Sequence, residues 1–390
     1  MEVYFDNAAS TKVRDEAIDA ALSVMRDSFG NPSSTHHMGR RAAHELDAAR
    51  KKVADALGAR PEEVFFTSGG TESANWAVIG SAEALSRRGK HIITSAIEHD
   101  ALFMSAKKLE SMDWEVTYLM PDSTGRIAAE SFASALREDT VFASIMHVNN
   151  ETGIINPVSD YSKEIKRRKL GTILHTDSVQ GFCKIPFSAR TLGADLITIS
   201  AHKIHGPKGA GALYIKAGVN LPAMLLGGGH ESGKRSGTEA LPSISGFGEA
   251  ARLGKLEMGE TSESVRKLRD HIIGRLAEAL PQAVIIGTGD SPFLLSLSLP
   301  GYKSEVLMNY LDGEGICVSK SAACKKGSRS RVLEAMRLKN EVIDGALRVS
   351  FSRYNTLDEA EHFVKTLKRA TEKLFRGLST ARDQGLGGRG

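Results

Sequence analysis

The sequence predicts an α/β fold, with a large and mostly parallel seven-stranded sheet flanked by helices, plus a smaller α+β part. Three observations support this prediction. Apolar strand segments alternate with amphipathic helical segments through the first two thirds of the chain, polar residues follow the strands, and the pattern changes near residue 255. The 390 residues are enough for a large hydrophobic core and for two domains.

The strands of the large sheet are predicted from seven apolar segments. In chain order they are VFFTS, HIITS, WEVTYL, VFASIMHV, TILHTD, LITIS and GALYI. Amphipathic helices are predicted after the first two, over 72–88 and over about 100–112. An open α/β sheet binds ligands beyond the carboxyl ends of its strands, so the polar residues at those ends are candidate site residues.

The last third of the chain predicts a different architecture. A charged helix over 255–279 precedes four short strands, AVIIG, FLLSLSLP, GICVS and LRVSF, with helices between them. We predict a large domain over 15–255 and a small domain built from 1–14 and 256–380. The boundary is soft, because one long helix could bridge both parts. The glycine-rich tail, 381–390, is predicted to be disordered.

Composition and charge exclude several classes of function. The net charge of +4 gives no general basic field, so we expect no nucleic-acid partner. The N-terminus, MEVYFDNAAS, has no signal-peptide pattern, and no apolar run has the length of a membrane span. We therefore expect a cytoplasmic protein without a membrane partner. The three cysteines, Cys183, Cys317 and Cys324, predict neither a disulfide framework nor a metal site.

Two strand ends carry candidate binding groups. FTSGGTESAN places a glycine turn between a strand and a helix, so the backbone N–H groups near Gly70 and Thr71 favour a phosphate. The alternative interpretation is an ordinary helix cap, with Thr71 as the N-cap. Asp177 ends the segment TILHTD, with Gln180 three residues later. It can be a ligand-binding carboxylate, a cap or a buried ion partner.

A lysine at a third strand end gives these groups a common chemistry. In ISAHKIHGPKGAGALYIK, glycine and proline end the strand and place Ser200, His202 and Lys203 at its end. A phosphate cradle, a carboxylate and a lysine are the parts that a pyridoxal phosphate site requires. Lys203 would hold the cofactor as a Schiff base, and Asp177 would keep the ring nitrogen protonated.

Ten motifs in one order carry a family resemblance. They are YFDNAAST, FGNPSSTHHMG, FTSGGTESAN, EHDAL, SIMHVNNETG, HTDSVQ, SAHKIHGPKG, GGGHESGKRSGTEA, SKSAAC and LRVSFSRYNT. With them the chain resembles the cysteine desulfurases of the class V aminotransferase superfamily. These are fold type I pyridoxal phosphate enzymes with an aspartate aminotransferase-like fold. The resemblance covers nearly the whole chain.

The resemblance implies roles for further residues around the cofactor. His99 would stack on the ring, although it could also be a satisfied histidine at a strand end. The remaining cofactor-binding residues would be Asn150 and Gln180 near the phenolic oxygen, Thr71, Ser200 and His202 at the phosphate, and Thr238 reaching the phosphate of the neighbouring subunit. The protein would then be a homodimer with composite sites.

The substrate carboxylate needs a separate group. Arg348, in LRVSF, could be a surface charge, but its planar guanidinium suits the two oxygens of an amino acid carboxylate. Asn150 is a second expected substrate contact. Asn31, in GNP, is a weaker candidate, since a turn residue explains it almost as well.

Cys324 is the expected sulfur-carrying thiol. It lies in SKSAACKKGSRSR, where 320–331 contain five cations and no acid: Lys320, Lys325, Lys326, Arg329 and Arg331. Nearby cations lower the pKa of a thiol. The alternative is a basic edge with an incidental cysteine. Cys183 and Cys317 lie in apolar segments and are expected to be small core residues. The family's common Ser-Gly-Ser-Ala-Cys is Lys-Ser-Ala-Ala-Cys here, in a somewhat shorter loop.

The sequence thus predicts a cysteine desulfurase that converts L-cysteine to L-alanine and leaves a persulfide on Cys324. Lys203, Cys324 and His99 are the expected catalytic residues. The sulfur would pass to an acceptor protein, for example an iron–sulfur scaffold, in the biosynthesis of a sulfur-containing cofactor. The alternatives are a selenocysteine lyase, another class V lyase or aminotransferase, and a catalytically silent scaffold paralogue.

Overall fold

A computed structural model describes residues 1–321 and 329–374 of the chain. Cys324, Lys325 and Lys326 lie outside the described residues, as does the predicted tail, so nothing follows here about their structure. The described part confirms the predicted α/β class, with a mostly parallel seven-stranded sheet between helices.

Thirteen strands are formed in the described part of the chain. They are β1 (Val3–Tyr4), β2 (Val64–Thr67), β3 (His91–Ser95), β4 (Glu115–Leu119), β5 (Thr140–Ser144), β6 (Ile173–Asp177), β7 (Leu196–Ser200), β8 (Gly211–Ile215), β9 (Val284–Ile286), β10 (Leu294–Ser298), β11 (Ile316–Cys317), β12 (Ser319–Lys320) and β13 (Ala346–Ser350).

Fourteen α-helices accompany these strands in the described residues. They are α1 (Asp15–Asp27), α2 (His37–Leu57), α3 (Gly70–Asn75), α4 (Ser81–Leu85), α5 (Asp100–Glu110), α6 (Ala129–Ala135), α7 (Val158–Arg167), α8 (Ala189–Leu192), α9 (Leu241–Leu256), α10 (Met258–Ala279), α11 (Ser304–Gly313), α12 (Arg331–Ala335), α13 (Asn340–Asp344) and α14 (Leu357–Lys373).

The large sheet has the strand order β2-β8-β7-β6-β5-β3-β4. The strands from β4 to β7 pair in parallel, whereas β8 is antiparallel to both of its neighbours. The carboxyl ends of β5, β6 and β7 therefore meet at one edge of the sheet. Every residue of these three strands except Ile173 is buried, as expected for apolar strands covered by helices on both faces.

Several sequence predictions differ from the structure in their boundaries. The segment GICVS, expected as one strand, contributes to two short strands, β11 and β12, which belong to different sheets. The helix expected over 72–88 begins at Gly70, and a π-helical turn over Trp76–Gly80 separates α3 from α4. The segment VFASIMHV leaves the sheet after Ser144, because its next residues turn toward the site edge. The expected charged helix begins at Met258, directly after α9, so the two helices form the nearly continuous bridge that the sequence allowed.

A second region has its own sheets and core. Strands β12, β13, β10 and β9 form an antiparallel sheet, and β1 pairs in parallel with β11. Its core joins Val3 and Phe5 from the N-terminus to apolar side chains of α10, α11 and α14. The N-terminal segment thus packs with the last third of the chain, while separate clusters cover the large sheet.

No helix within 1–321 and 329–374 is both long enough and apolar enough to cross a bilayer.

Candidate active site

One cavity at the carboxyl edge of the large sheet collects most of the predicted site residues. It has a volume of about 360 Å³. The predicted residues that line it are Gly70, Thr71, His99, Asn150, Asp177, Gln180, Ser200, His202, Lys203 and Arg348. Asp177 and Lys203 meet here because the parallel strands β6 and β7 end at the same edge, whereas Arg348 comes from β13 of the second sheet.

Lys203 lies in a short 3-10 turn directly after β7. Its Nζ donates hydrogen bonds to the carbonyl oxygens of Ala8 and Ala9, each at 2.7 Å. Burial, followed by the positive charge of Arg348, lowers the pKa of Lys203 to about 8. A larger fraction of the amine is consequently neutral and nucleophilic near neutral pH than for an exposed lysine.

Asp177 is the last residue of β6, and its side chain is buried. Its Oδ1 accepts a hydrogen bond from the backbone N–H of Val179 at 2.9 Å. Burial raises the pKa of Asp177, while the nearby His99 and Lys203 oppose the rise. A buried carboxylate with so few donors is suited to a cationic group entering the cavity.

The glycine turn and the start of α3 form a second part of the site. A neighbouring cavity of about 350 Å³ shares Gly70, Thr71, Ser200 and His202 with the first. Gly69, rather than Thr71, is the N-cap of α3, so the interpretation of Thr71 as the cap is wrong. The backbone N–H groups of the first helical turn thus open toward this cavity.

Two observations at this end favour an anionic ligand. Ser200 Oγ is buried and has no hydrogen-bond partner among the described residues. A Cβ atom at Gly70 would lie only 3.0 Å from Cγ2 of Val179, so glycine keeps the start of the helix close to the strand ends. His202 lies beside them, and burial lowers its pKa to about 4.

Arg348 is buried in the middle of β13, at 3 % exposure, rather than at the start of a strand. This excludes the surface-charge interpretation. Its guanidinium donates to the Asn150 carbonyl oxygen and to Asp6 Oδ1, both at 3.0 Å. Its Nε is buried without a partner in the described residues, which leaves a donor for a ligand.

His99 is the N-cap of α5 and faces the cavity. Its Nδ1 accepts a hydrogen bond from the backbone N–H of Ala101 at 3.2 Å, which fixes the ring at the helix start. Since β3 already ends at Ser95, His99 belongs to the loop beyond the strand. The preceding Glu98 is buried, and burial raises its pKa to about 8.

Two predicted site residues in the described part of the chain do not line this cavity. Asn31 is exposed, and its Oδ1 accepts a hydrogen bond from the Ser33 N–H at 2.9 Å, as in an Asx turn. Thr238 is exposed in the glycine-rich loop after β8. Cys324 lies outside the described residues. The structure therefore tests none of these three roles.

The described cations around Cys324 have carboxylate partners. Lys320 pairs with Glu305, Arg329 with Asp344, and Arg331 with Asp100, at 3.0, 2.7 and 3.2 Å. These acids are distant in sequence, so a count of charges within 320–331 alone does not include them and overestimates the positive charge near Cys324. The electrostatic argument for a low thiol pKa rests on Lys325 and Lys326, which lie outside the described residues.

The other two cysteines are partly buried. Cys183 lies in a turn after β6, not in a strand, and burial raises its pKa to about 12. Burial also raises the pKa of Cys317, in β11. Neither thiol has the depressed pKa of a reactive cysteine.

Three groups beside the site were not predicted from the sequence: the partly buried Asp6 and the buried Glu151 and Lys184. Asp6 pairs with Arg348, and Glu151 accepts a hydrogen bond from Ser330 Oγ at 2.5 Å. Lys184 donates to Gln180 Oε1 at 2.9 Å. The lysine within the apolar segment FCKIPF was a signal for the last of these, because a lysine is rarely buried without a specific reason.

The residues present fit pyridoxal phosphate. The buried and unpartnered Ser200 Oγ lies beside the phosphate cradle, Asp177 offers a buried carboxylate for the ring nitrogen, and Lys203 offers an amine with a lowered pKa. All three line the same cavity.

Comparisons with known proteins agree with this chemistry. Residues 3–363 match the family described as aminotransferase class-V. Cysteine desulfurase IscS of Dictyoglomus turgidum is 41 % identical over 377 residues, covering 96 % of this chain and 95 % of that protein. A solved NifS-like protein superposes with a TM-score of 0.91 at 39 % identity, covering 96 % of this chain and all of the other.

A further solved structure shows a relative with a ligand. SspA in complex with cysteine has a TM-score of 0.80 at 31 % identity, covering 91 % of this chain and all of the other. The chain belongs to the aminotransferase class-V family of pyridoxal phosphate enzymes. Within that family, the curated relatives it resembles over nearly its whole length are cysteine desulfurases.

Proposed function

We propose that this protein is a cysteine desulfurase that takes sulfur from L-cysteine, releases L-alanine and holds the sulfur as a persulfide on Cys324. One observation carries the proposal: Lys203, Asp177 and Arg348 line a single cavity, with the Nε of Arg348 free for a ligand. The names of the relatives, and the cysteine complex of SspA, support L-cysteine as the substrate.

Different residues of the chain would bind different parts of the cofactor. Pyridoxal phosphate, when bound, supplies an electron sink that acidifies the α-proton of an amino acid. Lys203 would hold the cofactor, and its amine would take the α-proton of the substrate. Asp177 would hold the ring nitrogen. Ser200 and His202, with the N–H groups near Gly70 and Thr71, would hold the phosphate.

Other residues that line the cavity would orient the substrate. The guanidinium of Arg348 would bind the α-carboxylate, since its position is fixed by the carbonyl of Asn150 and by Asp6. Asn150 also lines the cavity and is the proposed second contact. His99 would cover the cofactor ring and exchange protons with the substrate. A role for Asn31 in substrate binding stays a prediction.

Sulfur transfer needs a thiol that can enter the cavity. The Cys324 thiolate would attack the substrate sulfur, so that a sulfur–sulfur bond forms while the bond between carbon and sulfur breaks. The released carbon takes up a proton, and L-alanine leaves. Ser330 and Arg331, which follow the Cys324 segment in sequence, are themselves held near the site, through Glu151 and through the carbonyl oxygens of Ala96 and Glu98.

A homodimer would complete the site. The side chains of Ile18, Leu22 and Met25 form an exposed apolar stripe along α1, and Phe29 extends it. Phe29 is 70 % exposed and Met25 59 %, values that favour a partner surface. The exposed Thr238, on its glycine-rich loop, is the proposed contact to the phosphate bound by the other subunit.

We further propose that the acceptor is a protein of sulfur-cofactor biosynthesis, such as an iron–sulfur scaffold, and that the enzyme works in the cytoplasm. The proposed large domain is 15–255, with 1–14 and 256–380 as the small one. The separate apolar core that joins Val3 and Phe5 to α10, α11 and α14 supports this division.

The test is a stoichiometric assay of the purified holoenzyme with L-cysteine and a reductant. Alanine and sulfide should appear in equal amounts, and Lys203→Ala should produce neither. Release of pyruvate and ammonia instead of alanine would show a different lyase reaction. Alanine formed from selenocysteine but not from cysteine would show a selenocysteine lyase.

A further inference from the structure

We propose that Lys184 is a positioning residue: its ammonium fixes the orientation of the Gln180 side-chain amide, so that this amide presents an N–H group to the cofactor cavity. The inference rests on the proposed cofactor site, because Gln180 lines that cavity. It assigns a role to a buried lysine that the proposed reaction does not otherwise use.

Lys184 is a buried cation without a carboxylate partner. It lies in the turn that follows β6 and is only 7 % exposed. Among residues 1–321 and 329–374, no carboxylate oxygen lies within 4 Å of its Nζ, although its ammonium is 5.9 Å from the ring centre of Phe293. Burial, followed by the charges of Lys203 and Arg348, lowers its pKa to about 7. Such a group destabilises the fold unless it serves a specific contact.

The contacts of Lys184 and of the Ala8 carbonyl together define which way round the Gln180 amide lies. An ammonium group donates hydrogen bonds and accepts none. Its hydrogen bond of 2.9 Å to Gln180 therefore requires the amide oxygen, Oε1, to face Lys184. The amide nitrogen must then lie on the other side, where Nε2 donates to the carbonyl oxygen of Ala8 at 2.9 Å.

One N–H of the Gln180 amide is left for a ligand. The nitrogen carries two hydrogens, and its one acceptor within the described part of the chain is the Ala8 carbonyl. The same carbonyl accepts a hydrogen bond from Lys203 Nζ at 2.7 Å. The chain of contacts from Lys184 through Gln180 and Ala8 thus ends at the lysine that would hold the cofactor.

A donor at this place has a measurable effect on the bound cofactor. With the phenolic oxygen near Gln180, as the family resemblance implies, an N–H there would stabilise that oxygen as an anion and would make it a weaker acceptor for a proton shared with the Lys203 nitrogen. If this donor is lost, the shared proton should therefore stay bound up to a higher pH. The visible absorbance of the bound cofactor reports the protonation state without any turnover.

The experiment compares Lys184→Met and Lys184→Arg as purified holoenzymes, by titrating their visible absorbance with pH. Methionine preserves the apolar length but removes the donor. The pH at the midpoint of the absorbance change should therefore rise by roughly one unit. Arginine stays a donor, and a small cavity of about 40 Å³ beside Lys184 gives room for the larger head group, so its midpoint should be close to wild type. Lys163→Met, an exposed lysine, is the control and should leave the midpoint unchanged.

Two further variants separate positioning from a general effect of charge. Gln180→Glu keeps a partner for Lys184 but lacks the N–H, and it should raise the midpoint as Lys184→Met does. In a Gln180→Leu background, Lys184→Met should add no further shift. Full additivity of the two shifts would show that Lys184 does not act through Gln180.

The outcomes distinguish this inference from the proposed function. If the wild-type protein has no visible band, or keeps the band in Lys203→Ala, the cofactor site itself is wrong. If the band depends on Lys203 but Lys184→Met and Gln180→Glu both titrate like wild type, the inference about Lys184 is overturned and the proposed cofactor site is not. Should Lys184→Met fail to fold, Gln180→Glu and the Arg variant decide the question by the same titration.

Discussion

At Lys203, two carbonyl oxygens accept the hydrogen bonds of the amine, and its surroundings lower its pKa to about 8. A strong ion pair would have the opposite effect and would keep the lysine protonated. Asp177 lies in the same cavity, but its carboxylate is not within ion-pair distance of Lys203 among the described contacts. The geometry thus leaves the carboxylate for the cofactor and the amine for covalent chemistry.

The lowered pKa of Lys203 predicts the pH dependence of cofactor attachment. An amine is a nucleophile only when neutral, and the neutral fraction grows as the pH rises through the pKa. The rate at which cofactor-free protein binds pyridoxal phosphate covalently should therefore increase with pH and level off above a midpoint near 8. Stopped-flow absorbance would measure it. A midpoint near the usual value of about 10.4 would contradict the assigned environment.

The guanidinium of Arg348 predicts a second effect. Arg348→Lys should raise the cysteine concentration for half-maximal rate by roughly tenfold, because a lysine cannot present two parallel N–H donors to a carboxylate. Arg353→Lys, in the same region but on the protein surface, is the control. Unchanged substrate dependence in Arg348→Lys would show that another group binds the carboxylate.

At the scale of elements, the glycine-rich loop that carries Thr238 is fastened to its own subunit at two points. Arg50 pairs with the buried Glu231 at 2.7 Å, and Arg235 pairs with Glu72 of α3 at 2.8 Å. The loop is therefore held against α3 while Thr238 itself remains exposed.

Thr238→Ala should weaken cofactor binding without abolishing it. A hydroxyl that donates to a phosphate contributes a charge-assisted hydrogen bond, and its loss should raise the dissociation constant of the cofactor by about tenfold to a hundredfold. Equilibrium dialysis of the variant would measure this change, with Ser232→Ala, an exposed hydroxyl of the same loop, as the control. Wild-type affinity in Thr238→Ala would remove this residue from the composite site.

The strands and the strand-end residues were predictable because both depend on local patterns. Apolar runs located the seven strands of the large sheet, and Asp177 and Lys203 followed directly from where two of those runs end. The π-helical turn after α3 has no such pattern. The ion pairs of Arg348 with Asp6 and of Arg329 with Asp344 also follow no local pattern, because each joins residues from different parts of the chain. Packing between elements decided these features.

At the scale of the whole molecule, the apolar stripe of α1 predicts the oligomeric state. Met25→Glu combined with Phe29→Glu places two charges on this stripe and should convert a dimer to monomers that lose cofactor. Ser23→Glu adds a charge to an exposed position of α1 outside the stripe and is the control. Sedimentation velocity would measure the mass. A double variant that stays dimeric would place the interface elsewhere, and a fully active monomer would contradict the composite site.

Sulfur transfer to Cys324 is the step that distinguishes the proposed reaction from those of other class V enzymes. In Cys324→Ser, the cofactor should bind normally, since Lys203, Asp177 and Arg348 are unchanged. A serine hydroxyl is far less ionised than a thiol, so no persulfide can form at that position and production of alanine should stop. Cys183→Ser is the matched control, because a thiol with a pKa of about 12 should not contribute.

The most direct measurement is mass spectrometry of the wild-type holoenzyme after exposure to L-cysteine without reductant. We expect one additional sulfur atom on the peptide that contains Cys324, and none on the peptides of Cys183 and Cys317. An unmodified Cys324 peptide, together with wild-type alanine production by Cys324→Ser, would contradict the persulfide mechanism.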